Sequence, residues 1–102
     1  MPFGISEESF TRIVTVFDAF PKITQVRLFG SRALGRHRPG SDIDLALEGN
    51  SLTLNNLLEL RLKLDNLMLP YRFDAVVLDD QISAELRDHI ERFGTVIYQK
   101  HP

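Results

Sequence analysis

From Asp42 to Leu47, three residues (Asp42, Asp44, Ala46) alternate with Ile43, Leu45 and Leu47. A period of two is that of a β-strand, because successive side chains of a strand point to opposite faces. One face of this strand is apolar and the other carries two carboxylates, which stand roughly 6.5 to 7 Å apart at their backbones. Parallel carboxylates repel unless a cation lies between them, and hard divalent ions such as magnesium prefer oxygen ligands. The bland alternative is that one Asp caps a turn while the other faces water. Either way, a strand lies near the middle of the chain, and the other elements must be layered around it.

Those elements follow from periodicity and stop signals. A first helix is predicted from Ser6 to Phe20, with Ser6 as its cap, Glu7 and Glu8 at the positive end of its dipole and Pro21 beyond it. Phe10, Ile13, Val14, Phe17 and Phe20 recur at helical spacing and face a core. Gln25–Phe29 reads as a strand, ending at Gly30-Ser31. Arg32–Ser41, rich in Gly, Pro, Arg and His, is a loop, and Glu48–Ser51 is a turn. A second helix spans Thr53–Leu67, and Arg72–Leu78 is a third strand with Phe73, Ala75 and Val77 opposite Asp74 and Val76. Ser83 caps a last helix with Leu86, Ile90 and Phe93 inward and Gly94 at its C-cap, before a strand from Thr95 to Tyr98. The expected fold is α/β (α+β), a small mixed sheet packed with helices in two or three layers. A chain of 102 residues fits a single domain, 1–102.

Composition excludes several functions. There is no cysteine, so neither disulfides nor thiolate chemistry is available. His37, His89 and His101 are scattered without zinc-ligand spacing. A net charge of -2 argues against a general nucleic-acid binder. No segment has the length of a membrane span or the pattern of a signal peptide, so the default expectation is a cytoplasmic protein.

Two further features carry chemistry. A glycine at a strand end, Gly30, lets a phosphate approach the backbone, and the Ser31 hydroxyl with free amides can bind its oxygens. The same pair is also a common turn. Asp74 sits within the apolar strand Phe73-Asp74-Ala75-Val76-Val77-Leu78, where a carboxylate is costly unless it is paired, holds a metal or faces water from an edge.

Taken together, the chain reads Gly-Ser, ten residues, Asp-x-Asp, then a downstream strand Asp. This resembles the signature of the DNA polymerase β-like nucleotidyltransferase superfamily, and most closely its minimal nucleotidyltransferase (MNT) group. The flanking residues agree, Leu28-Phe29-Gly30-Ser31-Arg32-Ala33 before the loop and Gly40-Ser41-Asp42-Ile43-Asp44-Leu45-Ala46 after it. The resemblance implies the nucleotidyltransferase fold, with Gly30 and Ser31 on the β and γ phosphates of ATP. It implies two Mg2+ ions on Asp42 and Asp44, with Asp74 sharing one of them near the attacking hydroxyl. Two metals roughly 3.5 to 4 Å apart clamp the attacking and leaving oxygens of an in-line displacement. Among Arg32, Arg36, His37 and Arg38, Arg32 is expected to be the counter-charge for the triphosphate, because it follows Ser31 directly. A solvated basic loop is the alternative.

Larger relatives hold their acceptor with a second domain, so here the acceptor is expected on another molecule, on a second copy, or at a shallow surface, and a homodimer or hetero-oligomer is possible. The MNT group is typically encoded with a HEPN-domain toxin and can adenylylate it, on tyrosine in some cases. The resemblance therefore implies AMP transfer from ATP to a HEPN-domain partner, an antitoxin role. The alternatives are an antitoxin acting by contact alone and a small-molecule nucleotidyltransferase of the aminoglycoside kind. In the second helix, Leu54, Leu57, Leu58, Leu62 and Leu64 are expected to form one broad apolar face with Leu60 and Leu67 beyond it, a stripe that suits either burial on two sides or a partner surface.

Overall fold

The computed structural model describes residues 1–100. A 3-10 turn at Pro2–Gly4 leads into α1 (Glu7–Asp18), followed by β1 (Ile23–Phe29), β2 (Ile43–Gly49), α2 (Leu54–Asp65), β3 (Phe73–Val77), α3 (Ala84–Phe93) and β4 (Thr95–Gln99). The four strands form one sheet in the order β3-β2-β1-β4. β1 runs antiparallel to both β2 and β4, while β2 and β3 are parallel. A parallel pair cannot be joined by a tight turn, and α2 provides the crossover between them.

Each helix begins where a side chain satisfies an amide left without an intrahelical partner. The hydroxyls of Ser6 and Ser83 accept from the amides of Ser9 and Leu86, each at 3.1 Å. Thr53 and Asn56 form a reciprocal capping box at the start of α2. Gly94 does cap α3, but with extended rather than left-handed backbone. Space demands the glycine there, since a Cβ would collide with the Ile90 carbonyl oxygen that accepts the Gly94 amide.

The strand registers sort side chains to two faces. Val26 lies opposite Leu47, Leu28 opposite Leu45, Ile43 opposite Phe73 and Leu45 opposite Ala75. These pack with Ile13 and Phe17 of α1 and Leu60 and Leu64 of α2 into the main core. On the other face, Phe29 and Ala46 pack with Ile90 of α3, supported by Val76, Leu78, Ile82 and Leu86. The result is three layers, with the sheet in the middle. Phe17 is fully buried, its ring 5.5 Å from that of Tyr98, and the Tyr98 hydroxyl donates to Asp18 at 2.7 Å. Phe17→Ala is expected to cost about 3–5 kcal/mol, read as a lower urea midpoint with an unchanged slope.

Two expectations about faces are corrected. In α2, Leu60 and Leu64 are fully buried, whereas Leu54, Leu58 and Leu62 are 68%, 51% and 60% exposed. Leucines occur all round this helix, so periodicity could not choose the inward face; packing against β3 and α1 chose it. Phe93, expected inward, is half exposed and lies against His89, with ring centroids 5.4 Å apart. The small second face of the sheet is already filled by Ile90 and Leu86.

Candidate active site

β1 ends where β2 and β3 begin, and the sequence-predicted residues gather at that end of the sheet. Asp44 lies opposite Phe29 of β1 on one side and opposite Asp74 of β3 on the other. Because β2 and β3 are parallel and in register, both carboxylates point to the α3 face. Asp42 precedes β2 with the same parity as Asp44 and is exposed, as is Asp74, while Asp44 is half-buried.

Burial, together with the charges of Asp74 and Asp42, pushes the Asp44 carboxyl up to about 6; Arg32 and His89 partly offset this. Among the described residues, none of the three carboxylates makes a salt bridge. They are not drawn into a closed cage either: no group of three acidic, imidazole or thiol side chains is placed to hold a metal among the described residues. The donor set fits a hard divalent cation: three carboxylates, whose charge at Asp44 is only partly offset by Arg32 and His89, and no sulfur.

The charge pressure on Asp44 has a consequence for stability. A carboxyl whose folded pKa is raised contributes stability below its ordinary pKa and loses it as pH rises through about 6. Asp44→Asn should therefore melt above the wild type at neutral pH, the gap closing as the pH is lowered into the ordinary carboxylate range.

Gly30 follows β1 with φ +76°, and a Cβ there would collide with Oδ2 of Asp44. Only glycine lets the chain turn this close to the carboxylate. The next residues wind into a tight turn in which Leu34 N–H donates to Gly30 O at 3.2 Å and Arg36 N–H to Ser31 O at 2.8 Å. Leu34 is the first residue of this turn to donate a backbone bond, so the amides of Ser31, Arg32 and Ala33 have no backbone acceptor within it.

Arg32 has structural partners. It is 3% exposed and lies 5.2 Å above the Tyr71 ring. Its Nε and Nη2 donate to Ser41 O at 3.1 and 2.8 Å, and its Nη1 donates to Phe3 O at 2.9 Å and Gly4 O at 3.3 Å. The side chain thus ties the start of the 32–41 loop to its end, one residue before Asp42. Arg36 and Arg38, by contrast, are exposed, and His37 is half-buried.

One residue near the site was missed from the sequence. His89 of α3 is half-buried, stands edge-on to Phe29 with ring centroids 6.3 Å apart, and lowers the Asp44 pKa. Its signal was helical spacing: three residues after Leu86 and four before Phe93, it shares their side of α3.

Comparison with known proteins settles the family. The Polymerase beta, Nucleotidyltransferase family matches residues 11–102. The chain belongs to this family. It is a nucleotidyltransferase, and its structural neighbours are of the minimal type. A toxin-antitoxin crystal structure with AMP-PNP superposes with TM-score 0.74 at 27% identity, over 89% of this chain and 73% of that one. A minimal nucleotidyltransferase structure superposes with TM-score 0.69 at 28% identity, over 93% of this chain and 95% of that one. A tri-AMPylated Shewanella oneidensis HEPN toxin in complex with an MNT antitoxin shares the fold, with TM-score 0.68 at 24% identity over 92% of this chain and 72% of that one. No curated protein matches the sequence. Among the described residues of this nucleotidyltransferase, no helix is long and apolar enough to cross a membrane.

Proposed function

We propose that this nucleotidyltransferase transfers AMP from ATP to a hydroxyl of a protein partner, a tyrosine of a cognate HEPN-domain toxin, and silences it. The observation that carries this reading is the in-register Asp44–Asp74 pair beside the Gly30 turn. It puts a glycine turn and two carboxylates at one end of the sheet. Support for ATP comes from the neighbour at 27% identity, which was crystallised with AMP-PNP as a toxin-antitoxin complex. The Shewanella oneidensis complex, alike in fold, contains an AMPylated HEPN toxin.

The residues divide the work by position. The Ser31 hydroxyl and the amides at the start of the turn bind the β and γ phosphates, and exposed Arg36 and Arg38 offset their charge. Asp42 and Asp44 would hold two magnesium ions, with Asp74 sharing one. When bound, these ions supply positive charge to the attacking and leaving oxygens. Asp74 orients the acceptor hydroxyl and takes its proton as the oxygen–phosphorus bond forms and the bond to pyrophosphate breaks. Arg32 acts at one remove, as a positioning residue that fixes Ser41 and so the approach of Asp42.

The test is the intact mass of the HEPN-domain partner after incubation with this chain, magnesium and each nucleoside triphosphate in turn. Addition of AMP from ATP, mapped to tyrosine, is the expected result. A partner that forms a complex but gains no nucleotide would make the chain an antitoxin by contact alone.

A further inference from the structure

Arg32 is held from two directions, and each reaches a different part of the fold. Its Nη1 donates to the Phe3 and Gly4 carbonyls, and its guanidinium lies over the Tyr71 ring. With no salt bridge to it among the described residues, the buried guanidinium rests on these carbonyls, that of Ser41 and the ring face.

The turn that supplies the first two carbonyls has an unusual backbone. Gly4 N–H donates to Met1 O and Ile5 N–H to Pro2 O, each at 3.1 Å, which leaves the Phe3 and Gly4 carbonyls for Arg32. Phe3 and Gly4 are both left-handed, with φ +60° and +69°. Such backbone is uncommon for a residue with a side chain, and it persists where the surroundings hold it. At Gly4 a Cβ would collide with the His37 ring and with Nη1 of Arg32. Ile5, the next residue, is 2% exposed in the main core and anchors the turn there.

On the other side of the guanidinium, Nε and Nη2 meet on a single oxygen, Ser41 O. That carbonyl and the Asp42 amide belong to one planar peptide unit, so holding the carbonyl sets the plane from which Asp42 hangs. The next amide, that of Ile43, donates to Arg72 O at 2.8 Å. Asp42 therefore lies between two pinned groups. Tyr71 belongs to both pins, since its ring lies against Arg32 and Arg72 follows it directly. Asp42 is exposed and makes no salt bridge among the described residues, so its aim depends on its backbone.

We propose that the Pro2–Gly4 turn and Tyr71 act with Arg32 as a clamp on the Ser41–Asp42 peptide, which makes Gly4 and Tyr71 positioning residues for the Asp42 carboxylate. The consequence for a metal rests on the proposed role of Asp42; the hold on the peptide does not.

The experiment uses the full chain without nucleotide. Two NMR signals report on the peptide, the Ser41 carbonyl carbon and the Asp42 amide nitrogen. Mn2+ alone probes the site, through paramagnetic broadening of the Asp44 amide. Tyr71→Leu keeps apolar bulk and removes the ring face, Gly4→Ala disturbs the turn, and Tyr71→Phe keeps the face. The first two should move both signals and weaken Mn2+ binding by about tenfold or more, the scale for losing a group that orients a metal ligand. Tyr71→Phe should match the wild type in both. The amide signals of Leu45 and Ala75 in the sheet check that each variant is folded. Wild-type peptide signals in a folded Tyr71→Leu chain overturn the clamp, as does a Tyr71→Phe chain as impaired as Tyr71→Leu. Asp42→Asn is titrated beside them. If it weakens Mn2+ binding while Tyr71→Leu and Gly4→Ala do not, the positioning role is overturned. If Asp42→Asn binds Mn2+ as tightly as the wild type, the metal assignment falls and the two peptide signals alone decide the clamp.

Discussion

Gly30→Val should abolish measurable ATP binding while the sheet still forms. Position 30 has φ +76°, a conformation that costs a branched residue about 1–2 kcal/mol or more. A Cβ there also collides with Oδ2 of Asp44, so the carboxylate must swing away from its place beside the proposed phosphate turn. We expect affinity to fall by roughly 100-fold or more, about 3 kcal/mol, by calorimetry with magnesium present. Gly35 makes a useful control. Its φ is +71°, yet a side chain there meets nothing within 4 Å. Gly35→Ala should lower stability by about 1 kcal/mol through backbone strain alone and leave ATP affinity unchanged. Wild-type affinity in a folded Gly30→Val chain would place the phosphates elsewhere.

Asp74→Asn should separate binding from chemistry. Asp74 is exposed, so removing its charge disturbs neither core. ATP should be held largely by Asp42, Asp44 and the Gly30–Ser31 turn, and affinity should stay within a few fold. Transfer to the acceptor should drop by roughly 100-fold or more, the scale for losing a positioned general base. Such a loss is felt in the transition state rather than in the ground-state complex. Single-turnover transfer from α-labelled ATP, beside a binding titration on the same preparation, measures both. Full transfer by the Asn variant would remove Asp74 from the chemistry. Equal losses of binding and transfer would make it a structural ligand only.

The order of elements was legible because each rests on local chemistry. Ser6, Thr53 and Ser83 cap their own helices, and the alternation in Asp42–Leu47 and Arg72–Leu78 sets which residues share a face. The candidate site was legible for a similar reason. Gly30-Ser31 and Asp42-x-Asp44 each lie within one short segment, where spacing along the chain is nearly spacing in space.

Local pattern therefore determined by itself the helices and strands, their inward faces in β2 and β3, and the residues to watch. Tertiary structure alone decided what depends on distant segments meeting. Parallel register set Asp74 beside Asp44, although thirty residues separate them. The carbonyls of Phe3, Gly4 and Ser41 converged on Arg32 and gave a residue expected at the triphosphate a structural partner set. In α2, leucines on every side made the hydrophobic pattern nearly isotropic, and only packing on β3 chose Leu60 and Leu64 for the core. The physical reason is common to all three. Periodicity reports the direction of a side chain relative to its own backbone, whereas burial, register and charge coupling depend on which other backbone arrives opposite it.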